Sequence, residues 1–172
     1  MDLISKLSKA DVKELFSKNW MTHDAMWYGN CMHELGPEQA NRLNKRAVRL
    51  MAAIEIKRIA KLMGKPKDFQ VQTLDELSEI IATAFQVVQT DFMKFDFGFP
   101  EKNVLRGKFH ACFAHDGVRR FGMIDAYECG IFERVKGWIE TLGVKYTMTP
   151  EFTGCLMHQT GSCEVDFHLV PD

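Results

Sequence analysis

Residues 93–99 read Met-Lys-Phe-Asp-Phe-Gly-Phe, and the order of their side chains settles the class of the fold. Met93, Phe95, Phe97 and Phe99 alternate with Lys94, Asp96 and Gly98. Neighbouring side chains on a strand point to opposite faces, so the alternation predicts a strand with one buried side. Pro100 to Asn103 reads as a turn, and Val104 to Cys112 as the second arm of a hairpin.

Upstream of this stretch the apolar period is helical. Ser8 and Asp11 resemble a capping box, and a long helix follows to Leu35. Gly36 and Pro37 suit a helix stop and the next helix start. The second helix spans about Pro37 to Met63, with Leu43, Ala47, Leu50 and Ile54 as its expected core stripe. Thr73 and Glu76 form another capping box. The helix behind it carries Leu74, Leu77, Ile80, Ile81, Ala84, Phe85 and Val88 on one face.

Downstream, a short helix is expected over Phe113 to Phe121 and a longer one over Asp125 to Leu142, stopped by Gly143. Val144, Tyr146 and Met148 alternate as a third strand, and Phe152–His158 with Cys163–Val170 read as a closing hairpin. The class is therefore α+β. N-terminal helices precede a mostly antiparallel sheet of four or five strands packed with two further helices. Residues 1–172 form a single domain, with 1–90 helical and 91–172 holding the hairpins.

The chain has 172 residues, 46% of them hydrophobic, and a net charge of −1. That balance leaves no basic footprint for nucleic acid. No apolar run approaches the roughly 18 residues a membrane span needs. The charged start, MDLISKLSKADVKELF, lacks a secretory apolar core. A cytoplasmic location is expected, where thiols stay reduced. The five cysteines then read as free thiols or metal ligands.

Cys155 and Cys163 flank the loop LMHQTGS, and pairing of the strands around it would bring both sulfurs to the neck of a hairpin. Two close thiolates repel unless a soft divalent cation neutralises them, and zinc is the common solution. Cys129 opens the long helix, where the helix N-terminus favours a thiolate. Glu151, four residues before Cys155, could add an oxygen ligand. The plain alternative is four core thiols.

The stretch YECGIFERVKGWIETLG…PEFTGCLMHQTGSCEVDFHLV resembles the C-terminal part of 4-vinyl reductase-type domains, small-molecule-binding α+β domains that include the sensor modules of phenol-responsive activators. The resemblance implies zinc held by Cys129, Cys155 and Cys163. The acidic ligand of that pattern falls at Phe152, which cannot bind metal, so Glu151, Cys112, His158 or water is left for the fourth place. The stretch NWMTHDAMWYGNCMHELGPEQANRLNKRAVRLMAAIEIKRI is similar to a family of uncharacterised cytosolic bacterial proteins. The L-2-amino-thiazoline-4-carboxylic acid hydrolases look like more distant relatives.

Trp20, His23, Asp24, Trp27 and Cys31 fall at helical steps on one face. Two indoles beside an imidazole and a carboxylate could line a pocket for a small hydrophobic or aromatic molecule, with His23 also a possible general base. Glu55 and Arg58 read as a one-turn ion pair. The leading expectation is a sensor-like small-molecule-binding domain with a structural zinc site. A metal-assisted hydrolase, and a metal-free domain with Cys112 and Cys129 as a redox pair, are the rivals. No nucleic-acid or membrane partner is expected, and a homodimer is compatible with the sequence.

Overall fold

The computed structural model describes residues 4–170. Helix α1 (Lys9–Leu35) begins at a reciprocal capping box: Ser8 Oγ accepts from Asp11 N–H at 3.1 Å, and the Asp11 carboxylate accepts from Ser8 N–H at 3.0 Å. Gly36, at φ +79°, turns the chain into α2 (Pro37–Leu62). Thr73 caps α3 (Leu74–Val88) by accepting from Glu76 N–H. The order continues with β1 (Lys94–Glu101), β2 (Val104–Ala111), α4 (Phe113–Arg120), a 3₁₀ turn (Ile124–Ala126), α5 (Ile131–Thr141), β3 (Lys145–Thr149), α6 (Leu156–Thr160) and β4 (Cys163–Val170).

The four strands form one antiparallel sheet in the order β1-β2-β4-β3. One face is charged and wet, with Arg106 donating to Asp166 at 2.7 Å and Lys108 beside Glu164. The other face meets the helices. Phe95, Leu105, Phe109, Val165, Phe167 and Leu169 are buried there with Phe132 and Trp138 of α5 and Leu77, Ile80 and Ile81 of α3. Burying one such side chain stabilises the fold by about 1.5–3 kcal/mol. Gly107 leaves room for the Phe97 ring, which a Cβ there would approach to 2.4 Å.

Helix α5 lies directly on α2. A Cβ on Gly137 would approach Ala52 Cβ to 2.8 Å and Arg49 O to 3.0 Å, so only glycine permits this backbone spacing. Ionic contacts rim the seam: Arg49 holds Glu133 and Glu140, and Arg134 donates to Glu55 at 2.8 Å. Trp138 Nε1–H also donates to Glu55, at 3.0 Å, which satisfies the indole in a buried setting.

The α+β architecture, the three N-terminal helices and the β1–β2 hairpin follow the sequence reading. Several local expectations do not. The turn shrinks to Lys102-Asn103, because β1 runs on through Glu101. Phe152–His158 is not a strand: it is a loop leading into α6, and β4 pairs with β2 and β3 instead. The helix expected from Asp125 starts only at Ile131. The stripe of Leu43, Ala47, Leu50 and Ile54 is exposed, while Ala40, Ala52, Ile56, Ile59 and Ala60 face the core. Glu55 pairs with Arg134 rather than with Arg58.

Candidate metal centre

The N-terminal helices build the site's floor through one buried amide. Asn41 Oδ1 accepts from Tyr28 O–H at 2.7 Å and from Glu128 N–H at 3.0 Å, while its Nδ2–H donates to Ala126 O at 2.7 Å. This fixes residues 126–128, immediately before Cys129. Tyr127 meets Tyr28 edge-to-face at 5.7 Å, and its hydroxyl accepts from Gly130 N–H. Cys129 N–H then donates to Gly154 O at 3.1 Å, tying this segment to the residue before Cys155.

Cys112, Cys129, Cys155 and Cys163 line one small cavity of about 10 Å³, closed by apolar neighbours including Phe109 and Phe132. That volume is near the minimum for a single water-sized occupant. No Lys, Arg or His side chain lines it among the described residues. Cys112 and Cys155 are the N-caps of α4 and α6, and Cys129 stands just before α5. Backbone N–H groups of Ala114 and His115 reach the Cys112 sulfur, and those of Ile131 and Phe132 reach Cys129. Such donors favour negative sulfur.

Burial acts more strongly in the opposite direction. It raises the Cys112 thiol, and it pushes Cys129 and Cys163 up to about 12, each helped by the neighbouring sulfurs. Without a cation these thiols stay protonated at neutral pH. No three His, Cys, Asp or Glu side chains among the described residues stand in metal-holding geometry as they are. What the described residues show is four cysteines lining one small cavity.

The three cysteines implied by the resemblance line the same cavity, and not a hairpin neck: Cys155 stands at the start of a helix and Cys163 opens β4. Glu151 is exposed and does not line the cavity, because the chain turns Phe152 inward against Phe132. Cys112 takes the fourth place around it. A repeated signal in the sequence marks it: C-F-A-H at 112–115 and C-L-M-H at 155–158 each place a cysteine before a helix. His158 is exposed and bonds Asp125 at 3.0 Å.

The histidine face of α1 does not form an enclosed pocket. Trp27 is 65% exposed, and His23 and Asp24 also lie on the surface. Partial crowding nevertheless raises the Asp24 carboxyl, with His23 acting the other way. Trp20 lies under the Arg134 guanidinium at 5.3 Å, so it serves a helix contact. Steps of three and four residues revealed a shared face but not which way that face points.

A family model matches residues 3–129, more than half of the chain. The chain belongs to DUF6125, a family of unknown function. The DUF6125 match takes in Cys112 and Cys129, while Cys155 and Cys163 lie beyond it. No curated protein and no solved structure matches the chain. No helix among the described residues is long and apolar enough to cross a membrane.

Proposed function

We propose that this protein is a sensor-like small-molecule-binding domain pinned by a structural zinc ion on Cys112, Cys129, Cys155 and Cys163. The observation that carries the reading is the convergence of four sulfurs from four separate elements on one ion-sized cavity. Zinc binds tetrahedrally to thiolates at about 2.3 Å, and four protein ligands define a structural site. The N–H groups aimed at Cys112 and Cys129 would offset the negative charge of a four-thiolate centre. The cation would bring these high-pKa thiols to the ionised state that ligation needs.

A closed sulfur sphere leaves no position for an activated water, which argues against the metal-assisted hydrolase. For the ligand, the seat moves away from α1. An open depression of about 550 Å³ is lined by Met93 and Phe95 with Gln89, Lys94, Asp96 and His110 at its polar margin. That size suits a small hydrophobic or aromatic molecule with one polar end.

Metal content and native mass spectrometry of the purified protein test the centre. One zinc per chain is expected, lost or sharply reduced in Cys112→Ser and Cys155→Ser and retained in Glu151→Gln. A zinc-free wild-type chain, prepared without chelator, overturns the reading. Full zinc retention in Cys112→Ser would instead favour three sulfurs and an open position.

A further inference from the structure

Helix α2 turns an unused face to solvent. Leu43, Ala47, Leu50 and Ile54 follow one another at steps of four, three and four, all exposed, with Leu50 at 57% and Ile54 at 53%. This is the spacing of a coiled-coil seam. The seam positions continue as Lys57 and Lys61, and Arg46 and Arg58 flank the stripe. All four cations are exposed, and none has an ion-pair partner among the described residues. The helix's two acids lie elsewhere: Glu38 projects to another side, and Glu55 is held by Arg134.

We propose that this face is the docking seam for one acidic amphipathic helix of a partner protein. Its width excludes broader contacts. At about 100° per residue the four apolar positions span only about 60° of the helix, and they contain no aromatic side chain. A helix lying on a bilayer presents a wider apolar face with Trp or Phe. Charge gives a second copy no advantage seam to seam: in parallel register Lys57 and Lys61 face their own copies, and in antiparallel register they face the start of α2 near residues 36–40, where no acid lies on the seam. A partner with leucine-like knobs and Glu or Asp at its flanks satisfies both the apolar stripe and the unpaired cations. The surface shares no residue with the thiol cavity, so the two readings stand or fall separately.

The test uses the full chain and a labelled synthetic helix of about three heptads, with Leu at the seam and Glu at the flanking positions. Fluorescence anisotropy is expected to show saturable binding that weakens about tenfold or more when salt screens the charges. Leu50→Asp should abolish it without changing the thermal melt. The double variant Arg46→Glu with Arg58→Glu should reject the Glu-flanked peptide and accept a Lys-flanked one. Absent binding, or equal binding by Leu50→Asp, overturns the proposal. It is equally overturned if the protein sediments as a dimer that Leu50→Asp splits, or if phosphatidylserine vesicles bind where the peptide does not.

Discussion

Helices α2 and α5 lie against each other, yet they treat their apolar residues in opposite ways. On α5, Phe132, Val135, Trp138 and Ile139 are all buried. On α2, Leu43, Leu50 and Ile54 face water, while the side against α5 is built from small residues such as Ala52. The larger side chains of α2 are therefore divided, with Leu43, Leu50, Ile54 and Leu62 outside and Ile56 and Ile59 inside. Close approach to Gly137 demands a small group at Ala52, while bulk on α2 is found both in the core, at Ile56 and Ile59, and on the outer face. Hydrophobic size thus marks the core on one helix and misleads on the other.

Truncation tests the contrast most strongly. Trp138→Ala is expected to cost about 3–5 kcal/mol, with a cavity left behind and Glu55 held by Arg134 alone. Leu50→Ala should change stability by no more than about 0.5 kcal/mol. Chemical denaturation measures both, and a similar cost at the two positions would erase the distinction. Next in size, Gly137→Val should cost about 1–3 kcal/mol by forcing α5 away from α2. Wild-type stability in that variant would show that the helices are not held by glycine spacing.

A smaller effect concerns the metal-free chain and its pH dependence. Cys129 and Cys163 sit near 12 in the fold against an ordinary value of 9.0. The unfolded chain therefore loses these protons first. Stability is fully present below about pH 9 and declines as pH rises toward 12, the sign expected for a raised acid pKa. Zinc-loaded protein should lack this alkaline decline and lose stability on acidification instead. Thermal melts of chelated and loaded protein across pH measure the difference.

The strands were legible because alternation carries a direction. Phe95 and Phe109 lie on the side their pattern required. Helix periodicity supplied α1, α2 and α3 and their caps, but α2 bears two candidate stripes and the sequence cannot rank them. The five-residue α6 is too short to display a helical period, so Leu156 to Thr160 resembled one arm of a hairpin. At the candidate centre, Cys129, Cys155 and Cys163 are marked both by their places in the predicted elements and by a resemblance. Glu151 was favoured for its nearness in sequence, whereas Cys112 arrives from the end of a distant strand. Only folding makes Cys112 a neighbour.

The sheet order carries one more consequence. The strand between β2 and β3 is β4, the last of the four to leave the ribosome. Until it arrives, β3 has no strand to pair with and β2 keeps one edge of backbone donors and acceptors open. The nascent chain can assemble helices and a hairpin early, but sheet completion waits for translation to pass Val170. Premature termination upstream of Cys163 would therefore leave β3 outside any sheet and β2 with a sticky edge, even with α5 seated on α2, and not a smaller version of the domain.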